Sequence, residues 1–363
     1  MKPCKKILFI INSSLDNSGV PKVAFDIISG LHEKYYFDIL VQSDKIGYYD
    51  EILKSLGCNI IYYGKPFVGK KLYIYNLTCR ILKLRKTIKR GRYDVIQSFT
   101  GYQAGIDCLA GALAGSKIRI ANIHGTVKRN HTLFTGTYER ICLYLIGRFS
   151  TVRIGVSEQA ALSIYSGVSY KVIYNSIPFD EFLNIKKTEH SEINLIQIGY
   201  YNENKNQLFS LKILNELKLQ GRNVRLFFIG YAVGDNYFQK MQNYIHQYNL
   251  SDCVSFLEHD YDKKKVFPII DYMLQPSLSE GLSLTALECQ ASKIPCIVSE
   301  AIPQAADIGL LHRLPLYDAD AWGRFICDNL GSNDTLDERK CLQFSRDRFL
   351  SNFDSIYSNG DIR

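Results

Sequence analysis

Segments with the pattern of buried strands alternate with segments of helical periodicity along most of this 363-residue chain. The strand-like segments are short, nearly continuous apolar runs, and the first of them are KILFII, FDILVQ, NIIYY, DVIQSF and IRIANIH. Helical patterns lie between them, near residues 72–90, 103–114 and 136–148. Continuous apolar runs are typical of strands that are buried on both faces of a parallel sheet. The alternation therefore predicts an α/β protein whose parallel sheets are covered by helices.

The alternation occurs in two series, which predicts two domains. The second series contains NLIQIGY, VRLFFIG, VSFLE, YMLQPS and CIVSE, and it follows a charged stretch without periodicity at residues 178–193. We expect two Rossmann-like, doubly wound domains that face each other across a cleft and bind ligands outside the carboxyl ends of their strands. The predicted divisions are residues 1–180 for the first domain, 181–193 for a linker, 194–340 for the second domain, and 341–363 for a C-terminal helix and tail, with the C-terminal helices returning to the first domain.

Net charge separates the same two halves of the chain. Residues 1–179 carry a net charge of +14 and the remaining residues carry −6, which gives the +8 of the whole sequence. Halves of opposite sign predict domains with different partners.

Hydropathy and cysteine usage predict a cytoplasmic protein. No apolar run approaches the roughly 20 residues that span a bilayer, and the apolar run ILFII near the N-terminus is too short for a signal peptide. The ten cysteines are scattered, without a C-x-x-C pair or a His/Cys spacing that suits a metal. Unpaired cysteines without a secretory signal are typical of a reducing compartment.

The stretch SLSEGLSLTALECQASKIPCIVSE, residues 277–300, holds two carboxylates eight positions apart. YMLQPS predicts a strand and LTALECQAS a helix, so Glu280 lies in the connecting loop and Glu288 within the helix. A glycine lets this loop turn tightly, and backbone amides at a helix N-terminus favour a phosphate. The amides concerned are those of Gly281, Leu282, Ser283 and Leu284. The spacing fits a sugar–diphosphate–ribose ligand; in the alternative, Glu280 only complements the helix dipole and Glu288 is a solvated helix residue.

This stretch resembles the E-x7-E segment of glycosyltransferase family 4, whose members are retaining enzymes of the GT-B fold. The continuation at Ser299–Pro303 is similar to that of capsule and exopolysaccharide transferases. Further segments resemble the family in order and spacing over nearly the whole chain, namely Asn17–Val20, Ile123–Gly125, Val156–Glu158, Val172–Asn175, Ile198–Gly199 and Lys205–Gln207. The sequence departs from the family pattern at Ser18 and Ser176, where glycine is usual, and at Tyr200, where arginine is usual.

The resemblance implies a sugar transfer. The expected reaction moves a hexosyl or N-acetylhexosaminyl group from a nucleoside diphosphate sugar, with a UDP-sugar favoured, to an acceptor hydroxyl with retention at the anomeric carbon. The resemblance implies no cofactor and no metal, and a lipid-linked or saccharide acceptor in capsule, exopolysaccharide or O-antigen synthesis. The alternatives are a nucleotide-sugar isomerase or hydrolase, and a non-catalytic nucleotide-sugar-binding protein of the same fold.

The resemblance also implies roles for single residues. Glu280 would hold the donor sugar and Glu288 the ribose, while Lys205 would meet the charge of the diphosphate. With His124 near the anomeric carbon, the predicted catalytic residues are Glu280, His124 and Lys205. The predicted donor-binding residues are Gly19, Gly199, Tyr200, Lys205, Leu257, Gly281, Leu282, Ser283, Leu284 and Glu288. Because tyrosine at position 200 carries no charge, another cation is expected to take the place of the family arginine.

A basic segment distinguishes the first half of the chain. Residues 52–93 contain eleven Lys and Arg and no acidic residue. Within a predicted helix, the cations assigned to the side that faces the membrane and the acceptor are Arg80, Lys83, Lys86, Lys89 and Arg90. Anionic lipid attracts such clusters, so we expect peripheral binding to the inner face of the cytoplasmic membrane. The alternative is a packed helix with a solvated basic face, and no recognisable nucleic-acid-binding motif accompanies the charges.

Overall fold

A computed structural model describes residues 4–17, 19–64, 73–125, 133–165, 167–232, 234–331 and 335–360. The chain divides into two compact units. Unit 1 comprises residues 1–175 and 347–363, and unit 2 comprises residues 176–346.

Unit 1 contains a seven-stranded parallel sheet. Its strands are β1 (Lys6–Ile11), β2 (Tyr36–Val41), β3 (Asn59–Tyr62), β4 (Val95–Ser98), β5 (Ile118–Ile123), β6 (Val152–Gly155) and β7 (Lys171–Val172). They pair in the order β3-β2-β1-β4-β5-β6-β7. The helices before β7 are α1 (Gly19–Leu31), α2 (Asp50–Ser55), α3 (Tyr73–Gly91), α4 (Ala104–Ala114), α5 (Leu133–Phe149) and α6 (Glu158–Tyr165).

Strand β1 explains why the apolar runs of unit 1 are continuous. Alternate residues of β1 point to opposite faces of the sheet, and both faces are covered. Phe9 belongs to the same buried cluster as Ile27 of α1, whereas Ile10 belongs to the cluster on the opposite face with Leu84 of α3. Residues 7–11 of the strand are therefore all buried, and only Lys6 at its start reaches water.

Unit 2 contains a six-stranded parallel sheet. Its strands are β8 (Ile193–Ile198), β9 (Val224–Ile229), β10 (Val254–Leu257), β11 (Tyr272–Gln275), β12 (Cys296–Val298) and β13 (Leu311–Arg313). They pair in the order β10-β9-β8-β11-β12-β13. The helices of the second half are α7 (Phe179–Leu183), α8 (Gln207–Leu219), α9 (Asp235–Gln247), α10 (Lys263–Val266), α11 (Leu284–Ala291), α12 (Ala319–Asp328), α13 (Glu338–Cys341) and α14 (Arg346–Asn359).

The two doubly wound sheets confirm the predicted fold class, and the division between them differs from the predicted one. The segment 181–193, predicted as a linker, lies inside unit 2. Its first residues complete α7, where Phe182 packs on Phe267 with ring centroids 6.1 Å apart. A five-residue helix is too short to show periodicity in the sequence, so its apolar anchor was not recognised.

Helix α14 returns to unit 1, as predicted. The hydroxyl of Tyr357 donates to the side-chain oxygen of Gln97 at 2.5 Å, and the Tyr357 carbonyl accepts from Lys5 at 2.8 Å. All ten cysteines are free thiols. Within the described ranges, no helix combines the length and the apolarity that crossing a membrane requires.

Candidate active site

Two loops at the carboxyl edge of the unit 2 sheet bring a lysine and a glutamate into contact. Lys205 follows β8, Glu280 follows β11, and these two strands are neighbours in the sheet. The Nζ of Lys205 lies 2.5 Å from Oε1 of Glu280, and the two side chains are 24% and 13% exposed. The sheet topology thus joins two predicted site residues that are 75 positions apart.

Hydrogen bonds between the two loops fix the backbone around this ion pair. The amide of Leu278 donates to the carbonyl of Asn204 at 2.7 Å. In return, the side-chain amide of Asn204 donates to the carbonyl of Ser279 at 2.9 Å. The carbonyl of Lys205 accepts from Nε2 of Gln197 at 2.7 Å. The relative position of lysine and glutamate therefore does not depend on their mutual attraction alone.

Two glycines permit the close packing beneath Lys205. Gly199 has φ +142°, and a β carbon there would lie 3.3 Å from Cε of Lys205. A β carbon on Gly230, which follows β9, would lie 2.1 Å from the carbonyl oxygen of Gly199. A side chain at position 230 would force the ends of β8 and β9 apart, so glycine is required there by contact with the neighbouring backbone.

A buried glutamine orients the carboxylate of Glu280. Gln275, the last residue of β11, is 3% exposed. Its Nε2 donates to Oε1 of Glu280 at 3.2 Å, and its Oε1 accepts from the hydroxyl of Ser283 at 2.6 Å. Lys205 and Gln275 therefore both bind the same carboxylate oxygen. The other oxygen, Oε2, has no hydrogen-bond partner within the described part of the chain and is available to a ligand.

The second carboxylate is paired with a lysine that the sequence analysis did not select. Glu288 lies in α11 and is 6% exposed, so it is not a solvated helix residue. Nζ of Lys263, at the start of α10, contacts Oε2 of Glu288. Glu288 resembles Glu280 in that a lysine holds one oxygen while the other has no partner among the described residues.

The backbone at the start of α11 retains amides that can bind an anion. Ser283 is the N-cap, and its hydroxyl accepts from the amide of Ala286 at 3.1 Å. No protein acceptor among the described residues takes the four amides that were predicted to bind phosphate, those of Gly281, Leu282, Ser283 and Leu284. The helix dipole adds a partial positive charge at the same place.

Aromatic side chains follow the next strands of the same edge. Tyr200, directly after Gly199, packs edge-on against Tyr231 with ring centroids 4.7 Å apart. Tyr231 is in turn 5.0 Å from the ring of His259. Leu257 ends β10 beside them, and its carbonyl accepts from the amide of Gly230 at 3.5 Å. At this position Tyr200 supplies an aromatic ring instead of a charge.

In unit 1, His124 follows β5 at the carboxyl edge of the sheet. Its ring lies 5.3 Å from that of Phe99, which follows β4. Nε2 of His124 is buried and has no hydrogen-bond partner in the described part of the chain. Burial lowers the pKa of His124 to about 3, so its imidazole is neutral at physiological pH. Gly19 begins α1, and a β carbon there would meet nothing within 4 Å, so packing does not require this glycine.

Comparison with protein families identifies the chain. The family model described as Glycosyltransferase Family 4 matches residues 17–181, and the model described as Glycosyl transferases group 1 matches residues 179–309. Together the two matches span residues 17–309, which include His124, Lys205, Glu280 and Glu288. The chain belongs to glycosyltransferase family 4.

Named relatives and solved structures agree with this assignment. This glycosyltransferase is 25% identical to the "Putative glycosyltransferase EpsF" of Bacillus subtilis (strain 168) over 86% of its length and 84% of the relative's. It is 24% identical to the capsular polysaccharide biosynthesis glycosyltransferase CapH of Staphylococcus aureus, over 81% and 80% of the two chains.

Solved structures show the GT-B fold. Anabaena Alr3699/HepE in complex with UDP-glucose matches with a TM-score of 0.78 at 16% identity, over 97% of this chain and 99% of that one. The apo form of the lipopolysaccharide outer core galactosyltransferase WaaB matches with a TM-score of 0.74 at 16% identity, over the same shares of the two chains.

The basic helix of this glycosyltransferase is α3. The cations on its exposed face differ from the predicted set. Arg80 points inward: its Nη2 lies 3.0 Å from the fully buried carboxylate of Asp107, and its Nη1 donates to Gln103 at 2.8 Å. It therefore joins α3 to α4 and is not part of the exposed face. The exposed cations of the described helix are Lys83, Arg85, Lys86, Lys89 and Arg90. Leu82, 56% exposed, lies among them.

The predicted site residues are thus grouped within each unit. Glu280, Lys205 and Glu288 all lie in unit 2, where Lys205 contacts Glu280 and Glu288 is paired separately with Lys263, and His124 and Gly19 both lie in unit 1. Sequence analysis missed Gln275 and Lys263. Gln275 had a usable signal, since a polar residue ends an otherwise apolar strand. No group of His, Cys, Asp and Glu in the described residues is arranged to hold a metal.

Proposed function

We propose that this glycosyltransferase moves a hexosyl or N-acetylhexosaminyl group from a UDP-sugar to an acceptor hydroxyl, with retention at the anomeric carbon and without a metal or other cofactor. The proposed acceptor is a lipid-linked glycan in the synthesis of a capsule, exopolysaccharide or O-antigen. The names of EpsF and CapH support the pathway. The complexes of HepE with UDP and with UDP-glucose support the donor.

The arrangement of the two lysine–glutamate pairs carries the proposal. Each glutamate is held by a cation at one oxygen, and its other oxygen is open within the described residues. Carboxylate oxygens accept hydrogen bonds from hydroxyl groups. Glu280 is proposed to bind hydroxyls of the donor sugar and Glu288 those of the ribose, with the amides at the start of α11 on the diphosphate between them.

The charge that develops on the departing diphosphate needs a stabilising cation. Lys205 lies at the ion pair and can turn from Glu280 toward a phosphate, since the two share only one hydrogen bond. Tyr200 donates at most one hydrogen bond to the same group. His124, neutral at working pH, supplies a polar contact near the anomeric carbon instead of a proton.

The test is release of nucleoside diphosphate from a panel of nucleotide sugars, with and without a lipid extract as acceptor source. Glu280→Gln keeps the size of the side chain and removes its charge. We expect acceptor-dependent release by the wild type and a loss of about a hundredfold or more in Glu280→Gln. Glu300→Gln is the matched control, because Glu300 is exposed after β12, and it should retain wild-type activity.

Other outcomes name the alternatives. Nucleoside diphosphate release at the same rate with and without the lipid extract indicates a hydrolase. Conversion of the nucleotide sugar without release indicates an isomerase. Nucleotide binding without turnover over the whole panel indicates a non-catalytic protein, and Tyr200→Arg would then be the variant in which to seek recovery of activity.

We further propose that the exposed face of α3 binds the anionic inner surface of the cytoplasmic membrane, where a lipid-linked acceptor would be located. Five cations surround one exposed leucine on this face. Each cation contributes about 1 kcal/mol near an anionic surface. An apolar side chain among them can enter the interfacial region.

Sedimentation with vesicles tests this surface. We expect binding to phosphatidylcholine vesicles only when they contain phosphatidylglycerol, and weakening as salt is added. The double variant Lys86→Glu with Lys89→Glu should reduce binding at least about tenfold. Lys45→Glu with Lys117→Glu makes the same charge change at exposed positions elsewhere in unit 1 and should bind almost as the wild type does. Equal loss in both double variants would contradict a specific surface.

A further inference from the structure

Three consecutive lysines open α10, and two of them bind glutamates in different surroundings. Lys263 contacts Glu288, whose side chain is 9% exposed. Lys264 lies 3.0 Å from Glu181 of α7, whose side chain is 55% exposed. Both pairs join a lysine of α10 to a glutamate carboxylate. They therefore differ chiefly in how far water reaches the carboxylate.

The environment of Glu288 makes Lys263 more than a surface charge. A carboxylate with so little access to water needs a compensating partner. Lys263 provides it at Oε2 alone, and it leaves Oε1 without a partner among the described residues. Because α10 is anchored by the buried Val266, and Asp262 caps its first turn through the amide of Lys264 at 3.1 Å, the base of the lysine side chain is fixed. The lysine therefore determines which way the carboxylate faces.

We propose that Lys263 is a positioning residue of the nucleotide site: by holding Oε2 of Glu288 it presents Oε1 to the two hydroxyls of the donor ribose. This inference rests on the proposed function, in which Glu288 binds the ribose. Lys263 touches neither the sugar nor the reacting bond in this assignment. Its contribution is selective binding of a nucleoside diphosphate that carries both ribose hydroxyls.

The proposal predicts that Lys263 sets the ratio of two dissociation constants, that of a dideoxy nucleotide and that of the same nucleotide with both ribose hydroxyls. A lysine with a purely structural role would not change this ratio. The full-length protein is titrated calorimetrically with UDP, GDP, ADP and CDP. The one that binds most tightly is then compared with its 2′,3′-dideoxy analogue. Hydrogen bonds to a charged group give the wild type a preference of about tenfold to a hundredfold for the ribose form. Lys263→Met should reduce this preference to about threefold or less.

Two further variants control the interpretation. Lys264→Met removes the neighbouring lysine from a lysine–glutamate pair and should keep the wild-type ratio. Lys263→Arg restores a cation of similar reach and should recover most of the preference. Both dissociation constants of a ratio are measured on one preparation, so a fraction of unfolded protein does not alter it. If Lys263→Met does not fold, Lys263→Gln, which keeps one donor and similar bulk, replaces it.

The outcomes separate the two proposals. A wild type that binds none of the four nucleotides overturns the proposed function. A wild type that binds with a ratio near one, or a Lys263→Met variant that keeps the wild-type ratio, overturns the role of Lys263 while nucleotide binding remains established. Equal weakening of both ligands in Lys263→Met would place the lysine on the diphosphate and also overturn the inference.

Discussion

The carboxyl edges of the two sheets present different kinds of chemistry. At the edge of unit 2, charged groups are already paired: Lys205 with Glu280 and Lys263 with Glu288. At the edge of unit 1, the predicted site residue is a neutral histidine beside Phe99, with a buried nitrogen that has no described partner. The predicted site residues of unit 2 are thus held by ion pairs and hydrogen bonds, whereas Nε2 of His124 has no such partner among the described residues. Unit 1 has a buried ion pair of its own, between Arg80 and Asp107, but it does not include the predicted site residue.

This difference fits the two substrates of the proposed reaction. A nucleoside diphosphate sugar carries fixed negative charge and many hydroxyls, and preorganised charges and amides stabilise it without rearrangement. An acceptor hydroxyl carries no charge, and a charged group held in an apolar site would cost free energy. We therefore expect substitutions at the unit 2 edge to alter donor binding and turnover strongly. Substitutions of the neutral His124 at the unit 1 edge should alter activity without removing a charge from the substrate's surroundings.

Loss of Lys205 should cause the largest effect. Lys205→Met removes the cation that pairs with Glu280, and we expect kcat to fall about 100- to 1,000-fold, as for removal of one preorganised donor at a developing anion. Lys205→Arg should recover only part of the rate, since the planar guanidinium does not reproduce the ammonium geometry. Nucleoside diphosphate release measures both variants.

The control for Lys205 is Lys212, an exposed lysine on α8. Lys212→Met changes the net charge of unit 2 equally and should leave kcat within about twofold of the wild type, as is usual for a surface substitution. An equal loss in both variants would mean that the field of the whole unit, and not the local pair, stabilises the diphosphate. That result would break the comparison between the two edges.

A smaller effect is expected for Gln275, which orients Glu280 without touching the ligand. Gln275→Leu removes the hydrogen bond to Oε1, and we expect kcat to fall about tenfold with little change in KM. Gln290 is the matched control, since it is a fully buried glutamine whose side chain bonds backbone groups such as the carbonyl of Ala306 at 2.7 Å. Gln290→Leu should lower the free energy of unfolding but leave kcat of the folded protein unchanged.

A feature of the structure could be predicted from the sequence when the residues that determine it lie close together along the chain. Glu280 and Glu288 lie within a single strand-loop-helix segment, so their spacing alone placed them at one sheet edge. The alternating patterns likewise predicted both sheets. Lys263 could not be selected, because three adjacent lysines are equivalent until the position of α11 decides which one reaches Glu288.

The basic helix shows the same limit. Helical periodicity placed Arg80 with the exposed cations, but the buried carboxylate of Asp107 on α4 draws it inward. Arg85 is exposed, and its Nε donates to the carbonyl of Leu113 at 3.1 Å. The side of a helix that faces a neighbour follows from tertiary packing, which one-dimensional periodicity does not contain.

The smallest effect on activity, and the sharpest test of the unit 1 edge, concerns the pH dependence of His124. Burial disfavours its imidazolium, so its pKa is about 3 in the folded chain, below the 6.5 of an exposed histidine. The unfolded chain therefore binds a proton at this position more readily. The stabilising contribution is complete above pH 6.5 and is lost as the pH falls toward 3. In the folded enzyme the side chain stays neutral from pH 5 to 8.

Two measurements on His124→Asn follow from this. The free energy of unfolding should fall less between pH 7.5 and 5 in the variant than in the wild type, because the variant has no proton to take up there. The profile of kcat/KM between pH 5 and 8 should keep its shape, whatever its height. His32→Asn, on a half-buried histidine in unit 1 whose Nδ1 is 3.1 Å from the carbonyl of Ser29, is the control for loss of a histidine. If kcat/KM of the wild type changes around pH 6 to 7, and this change is absent only from His124→Asn, then His124 exchanges a proton during turnover. The unit 1 edge would then share the charged chemistry of unit 2.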